Sequence, residues 1–137
     1  MKYPARIQPT DDGYVVTFRD IPEANTQGDT FDEAVEMAED ALLTALTFYF
    51  EDNRTVPAPS QPKPKETQID LPISAAIKVA LLNTLLETRV SQSKLAKRMG
   101  ITPQQVTRIV NLNHTTKIDT LAAAFKALGR ELKISVS

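Results

Sequence analysis

The sequence predicts an α+β protein: a βββαβ module followed by an all-α module that carries a helix-turn-helix. Three observations predict it. Up to Gly28 the chain alternates at period two between turn residues, and from Thr30 an apolar stripe recurs at helical spacing. From Ser74 onward nearly the whole pattern is helical. The charge also divides. Met1–Glu66 holds 6 Lys+Arg against 13 Asp+Glu, and Thr67–Ser137 holds 10 against 4, so halves of −7 and +6 hide inside a net charge of −1. Halves of opposite sign suit different partners: a basic half suits nucleic acid, an acidic half a basic protein.

Composition removes several classes of function. There is no cysteine, which excludes a disulfide scaffold and a thiolate metal site. No apolar run approaches the roughly 18 residues needed to span a bilayer. Met1-Lys2-Tyr3-Pro4-Ala5-Arg6 enters an alternating pattern without the apolar core of a signal peptide. The expectation is a soluble, cytoplasmic protein with no membrane partner.

In the first module, Tyr3–Gln8 reads as a short strand and Pro9–Gly13 as a turn. Tyr14–Arg19 is rich in β-branched and aromatic residues, with Tyr14, Val16 and Phe18 on one face, so the two segments form a hairpin. Ala24–Gln27 is expected as a third strand ended by Gly28. Thr30-Phe31-Asp32-Glu33 matches a capping box, and Asp29, Asp32, Glu33 and Glu36 crowd the positive end of the helix dipole. Phe31, Ala34, Val35, Ala38, Ala41, Leu42, Ala45, Leu46 and Tyr49 make the stripe of a helix that fades near Glu51-Asp52-Asn53. Val56–Lys65 carries four of the nine prolines and must be extended, as an interdomain linker or as a loop leading to a further strand, Thr67–Leu71. The module boundaries read as 1–71 and 72–137.

In the second module, Ser74 is an expected N-cap, and Ile77, Leu81, Leu82, Leu85 and Leu86 give an apolar face. Asp119 is expected to cap a last helix, Thr120–Leu128, with Gly129 as its left-handed terminator. Glu131–Val136 alternates like a strand.

The segment Ser91–Asn111 carries the chemistry. Ser91 caps a first helix whose Leu95 and Met99 face inward, and Ala96 is small where a second helix crosses. Gly100 supplies a left-handed turn residue and Ile101 plugs the turn. Thr102 caps the second helix, Pro103 suits its first position and Gln105 completes a capping box. Val106, Ile109 and Val110 point inward, leaving Gln104, Thr107, Arg108 and Asn111 outward, with Gln105 near the same end. Glutamine pairs bidentately with adenine and arginine with guanine in the major groove, and the N-terminal part of a recognition helix meets base edges. Gln92 is placed to hold a phosphate, and the following loop, Asn113, His114, Thr115 and Lys117, adds backbone contacts. The expected DNA-binding set is Gln92, Thr102, Pro103, Gln104, Gln105, Thr107, Arg108, Asn111, Asn113 and Lys117.

The region Ser74–Gly129 resembles the Cro/C1-type helix-turn-helix family, less its first helix; the resemblance implies a dimer on pseudo-palindromic DNA. Met1–Leu71 resembles the HicB-type antitoxin domain of HicA–HicB toxin–antitoxin modules. The resembling residues are the strand pair Tyr3–Arg19, the string Asp20–Thr30, then Glu33-Ala34 and Ala41-Leu42. What the resemblance implies is a partial RNase H-like N-terminal domain that binds a small basic HicA-like ribonuclease toxin. It further implies a helix-turn-helix that represses the shared operon from a homodimer or higher homo-oligomer. The toxin-contact residues are not given by the motif. Candidates are Asp11, Asp12, Glu23 and Asp29, with any surface aromatic among Phe48, Tyr49 and Phe50.

An enzyme is not expected. Two-metal hydrolysis needs carboxylates around ions about 4 Å apart, and neither strand of the hairpin holds one; Asp11, Asp12 and Asp20 lie at turns or strand ends. His114 is the only histidine and cannot make a zinc site alone. No phosphate-cradling glycine motif occurs, and no cofactor or metal is expected. The alternative to an antitoxin–repressor is a stand-alone repressor whose N-terminal module senses a ligand or oligomerises.

Overall fold

A computed structural model describes every residue from Met1 to Ser137. The chain forms two compact units, Met1–Tyr49 with Val56–Ile73, and Phe50–Thr55 with Ser74–Ser137. In chain order the elements are β1 (Lys2–Thr10), β2 (Gly13–Thr17), β3 (Thr26–Gly28), α1 (Phe31–Glu51), β4 (Glu66–Asp70), α2 (Ile73–Thr88), α3 (Gln92–Met99), α4 (Pro103–Ile109) and α5 (Ile118–Ala127). The βββαβ order and the all-α second half are those the sequence predicts. No helix is long and apolar enough to cross a membrane.

The first unit is built on an antiparallel sheet ordered β3-β2-β1-β4. Registers Tyr3↔Ile69 and Ile7↔Val16 put one apolar set on one face. Strand side chains alternate between faces, so Tyr3, Ala5, Val16 and Ile69 are buried together while Lys2, Arg6, Val15, Thr17 and Asp70 are exposed. β1 contains Pro4 and Pro9, which donate no hydrogen bond. Each sits where the strand has one neighbour: Pro4 lies before the pairing with β2 begins, and Pro9 after the pairing with β4 ends.

Helix α1 begins as its sequence requires, with the Glu33 N–H donating to Thr30 Oγ1 at 3.1 Å. It buries Ala34, Ala38, Leu42, Ala45, Leu46 and Tyr49. Phe31, expected in that stripe, is exposed and instead meets the Tyr14 ring edge-on at 5.9 Å. Two expectations need correction here. The third strand is Thr26–Gly28, not Ala24–Gln27, because Pro22–Asn25 closes a turn: the Ala24 N–H donates to Ile21 O and Asn25 Nδ2 donates to Pro22 O. Gly28 does not merely end that strand. A Cβ there would lie 2.5 Å from the Ala34 nitrogen, so glycine lets the strand approach the helix.

The proline-rich segment is a loop to the further strand, fastened to the first unit along its length. Tyr3 Oη donates to Pro57 O at 2.7 Å, and the Ser60 N–H and hydroxyl donate to the Asp20 carboxylate. Arg19 donates to Gln61 O and makes a two-pronged pair with Glu66, Nε–Oε2 and Nη2–Oε1 both 3.0 Å. The Lys63 N–H closes the set on Glu66 Oε1. Burial pushes the Tyr3 phenol up to about 12, with the nearby Asp20 carboxylate acting the same way.

The second unit centres on Leu81, Leu85, Leu95, Val106, Ile109, Leu121 and Phe125. Three helix ends close in the same way, with N–H groups of the next residues folding back on the last carbonyls. At α3 the left-handed residue is Gly100 and the Ile101 N–H donates to Ala96 O; at α5 it is Gly129 and the Arg130 N–H donates to Phe125 O. At α2 it is Arg89, a non-glycine at φ 56°, with the Val90 N–H on Leu85 O.

Three further expectations fail in this unit. Ser74 is not an N-cap: α2 already starts at Ile73, placing Ser74 in its first turn. Asp119 is likewise inside α5, whose N-cap is Lys117 without a side-chain cap bond; its carboxylate still suits the first turn of the helix dipole. Glu131–Val136 forms no strand, because the second unit has no sheet to receive one.

The Arg19–Glu66 pair gives an acid signature. Arg19 beside Glu66 lowers the carboxyl from 4.5 to about 2, with the Lys63 N–H contributing. A carboxylate depressed on folding stabilises the fold above its unfolded pKa, and that contribution disappears as pH falls through the folded value. Glu66→Gln is expected to be less stable than the parent at pH 6 and equal to it near pH 2, as measured by urea unfolding at both pH values.

Candidate nucleic-acid interface and acidic face

Helices α3 and α4 are joined by Gly100–Thr102, and each starts on its own cap. Ser91 Oγ accepts the Lys94 N–H at 3.1 Å. Thr102 Oγ1 accepts the Gln105 N–H at 3.1 Å while Gln105 Oε1 accepts the Thr102 N–H at 2.9 Å, a complete capping box with Pro103 at the first position. Leu95, Ala96, Val106 and Ile109 are buried, which turns Pro103, Gln104, Gln105, Thr107 and Arg108 outward into solvent. Lys94 and Lys97 are exposed on α3, and Gln92 is half-buried at its first position.

These outward residues are not equivalent. A bidentate adenine contact needs both the oxygen and the nitrogen of an amide. Gln105 has its oxygen in the capping box, whereas Gln104 has both ends exposed. The Thr107 hydroxyl donates to Pro103 O at 3.1 Å. Arg108 is exposed at the last turn. Asn111, expected on the helix, lies beyond it: α4 ends at Ile109 and caps at Val110, and Asn111 Oδ1 accepts the Asn113 N–H at 2.9 Å to shape the loop. Asn113 and Lys117 are exposed farther along that loop.

One residue central to this geometry escapes the sequence reading. Lys78 of α2 is 1% exposed, inside the unit. Its Nζ donates to Asn111 O at 2.7 Å, His114 O at 2.5 Å and Arg108 O at 3.4 Å. The ammonium therefore caps the C-terminal end of α4, where the helix dipole favours a cation, and fixes the loop after it. Burial lowers the lysine pKa. A lysine is ordinarily surface, and nothing in its immediate sequence marks it otherwise.

On the first unit, the dominant feature is charge. Between Asp20 and Asn53 the chain has ten Asp or Glu and no Lys or Arg. Within this span a groove of about 260 Å³ is lined by Glu23, Thr26, Met37, Asp40, Thr44 and Phe48 among others. Phe48 is 50% exposed and Met37 is also exposed. Tyr49, by contrast, is buried, and its hydroxyl donates to Glu23 Oε1 at 2.8 Å; it is no surface aromatic. Phe50 is half-buried, and Asp11, Asp12 and Asp29 are exposed but line none of this groove.

Comparison with known proteins places this architecture. Residues 2–80 match the family described as HicB-like antitoxin of bacterial toxin–antitoxin systems, and residues 86–134 match a helix-turn-helix family. The chain is 51% identical to "Antitoxin HicB 2" of Photorhabdus laumondii, over 98% of this chain and 95% of that protein. It is 50% identical to "Antitoxin HicB" of Escherichia coli strain K12, over 98% of each. It is 41% identical to "Antitoxin HicB" of Pseudomonas fluorescens, over 85% of this chain and 81% of that protein. A sheet-and-helix unit with an acidic groove, followed by a capped helix-turn-helix and similar to these relatives along nearly its whole length, belongs to the HicB-like antitoxin family.

Proposed function

We propose that this chain neutralises a small basic mRNA-cleaving toxin of the HicA type through its first unit, and represses its own operon through its second. The observation that carries the reading is the segregation of charge. The span Asp20–Asn53 that carries the Met37–Phe48 groove has ten Asp or Glu and no Lys or Arg, and Glu23 and Asp40 line the groove itself, while the exposed face of α3–α4 is polar and basic. Complementary potentials speed encounter and select the partner; exposed apolar side chains within such a patch supply the contact that persists. The toxin thus docks across the acidic face of α1, with Phe48 and Met37 entering its surface and Asp40 meeting its cations.

On DNA, Gln104 and Arg108 read base edges, because their polar ends are exposed and uncommitted. Thr102, Pro103, Gln105 and Thr107 hold the helix in shape, and Thr102, Gln105 and Thr107 offer what remains of their polar side-chain atoms to the DNA backbone while Pro103 packs against it. Gln92, Asn111, Asn113 and Lys117 contribute phosphate contacts that position the helix. Reading a pseudo-palindrome requires two copies, so the repressor acts as a homodimer or higher homo-oligomer in the cytoplasm. No cofactor enters this scheme.

Three variants separate these roles. Arg108→Ala is expected to weaken operator binding by about 1–3 kcal/mol in a mobility-shift titration, leaving rescue from the toxin intact. Phe48→Asp, at an exposed position, should abolish toxin capture and growth rescue while operator affinity is retained; full rescue by this variant removes the α1 face from the interface. Lys78→Met deprives three carbonyls of their cation and should lower the melting stability by about 1–3 kcal/mol, whereas Arg108→Ala should stay within about 0.5 kcal/mol of the parent.

A further inference from the structure

The first unit is acidic, yet it gathers a cluster of cations in one place. Up to Glu66 the chain has six Lys or Arg: Lys2, Arg6, Arg19, Arg54, Lys63 and Lys65. Three are engaged by carboxylates, Lys2 with Asp70, Arg19 with Glu66 and Arg54 with Asp52. The other three, Arg6, Lys63 and Lys65, are exposed, make no ion pair, and line one cleft of about 410 Å³ where β1 meets the start of β4. Ile7, Pro9 and Pro64 give this cleft an apolar wall. Its one carboxylate is committed. Glu66 stands opposite Arg6 in the strand register, but its oxygens accept from Arg19 and from the Lys63 N–H. Arg6 turns instead to Gln8: with that amide oriented so that its oxygen faces the guanidinium, it accepts from Nε and Nη2, both at 3.1 Å. The remaining guanidinium N–H groups can donate to a ligand.

The backbone is also bent to bring a lysine here. Lys63–Glu66 closes a turn through the Glu66 N–H on Lys63 O at 3.1 Å, with Pro64 second and Lys65 third. Lys65 has φ 71°, at the turn position that favours glycine. Holding an L-residue there costs energy, and such strain gathers at ligand clamps.

We propose that this cleft binds a nucleoside phosphate, with the phosphate on Arg6, Lys63 and Lys65 and the base against Ile7, Pro9 and Pro64. A forked guanidinium beside two ammonium groups matches the oxygens of a phosphate. The cleft falls within the range of small-ligand sites, about 300–1,000 Å³, and its mixed walls suit a ligand with one charged and one flat apolar part. The surrounding charge limits the ligand's length. The ten carboxylates between Asp20 and Asn53 repel a long strand of nucleic acid laid over this unit, whereas a single nucleotide meets the local cations alone. The cleft shares no residue with the Met37–Phe48 groove or with α3–α4, so the proposal stands apart from toxin capture and operator reading.

Isothermal titration calorimetry of the full-length chain tests it with adenosine 5′-monophosphate, inorganic phosphate, adenosine and a short oligouridylate. The monophosphate should bind more tightly than phosphate or adenosine, and more weakly as salt rises. Arg6→Gln combined with Lys63→Gln should weaken it about tenfold or more through the loss of charge-assisted bonds, with an unchanged melting curve because both side chains are exposed. Lys126→Gln combined with Lys133→Gln removes as much charge from exposed positions elsewhere and should leave the affinity at the parent's value. Lys65→Gly should melt no lower than the parent, since glycine accepts the left-handed backbone, yet bind the nucleotide more weakly. An equal loss in the Lys126, Lys133 variant reduces the effect to net charge and overturns the site. Adenosine binding as tightly as its monophosphate overturns it too, as does no monophosphate binding at millimolar concentration. An oligouridylate that depends on Arg6 and Lys63 while the monophosphate does not bind overturns the single-nucleotide site in favour of a strand.

Discussion

A helix of seven residues cannot hold itself in water, and α4 is that short. Everything the second unit does depends on how this helix is clamped. Its N-terminus is closed by the reciprocal Thr102–Gln105 pair, and its C-terminus by the buried Lys78 ammonium. Val106 and Ile109 fasten the face between. The same clamps divide the labour among neighbouring side chains. A glutamine that completes a capping box and a threonine that bonds its own backbone are held in one geometry, and the residues beside them are thereby presented at fixed angles. The atoms that support the helix are thus different from those left free on its outward face, which is what a preorganised site requires.

The first unit solves a related problem with its few cations. Arg19 is held by Glu66 and Lys2 by Asp70, both near the sheet edge that carries β4. Used locally, these cations fix the proline-rich return and the edge strand rather than neutralise the carboxylates of α1. The helix then keeps an uncompensated field, strengthened by Asp32 and Glu33 in a first turn that also suits its dipole. Such a field costs self-repulsion in the free protein. A cationic partner offsets that repulsion on binding.

How legible this was depends on the range of the signals. Caps act over three residues, so Thr30, Ser91, Thr102, Gly100 and Gly129 announced their roles in the sequence. The apolar stripe of α1 and the hairpin's alternation are equally local. The α4 termination was less visible, since Asn111 prefers to close an Asx turn with Asn113. Lys78 was invisible: its partners lie 30 to 36 residues away, and its neighbours read as an ordinary apolar helix. Pro22–Asn25 misled for the opposite reason, because a turn with a buried Ala24 resembles the start of a strand. The C-terminal strand was read from a pattern that is sound locally, but the second unit has no sheet to receive it.

The small number of outward side chains on α4 raises a question of magnitude. On the proposed reading, one α4 presents two base-reading side chains, Gln104 and Arg108. A good bidentate base contact discriminates by about 1–3 kcal/mol, so one copy supplies roughly 2–6 kcal/mol. Specific repressors stand about 4–10 kcal/mol above their non-specific binding, and most of that range lies beyond a single copy. Two copies on a two-fold site double the discrimination and reach it. On the proposed reading, two such helices must also be held at a fixed spacing, because half-sites lie one helical turn of DNA apart. A flexible association would lose the second helix's contribution to the entropy of positioning it.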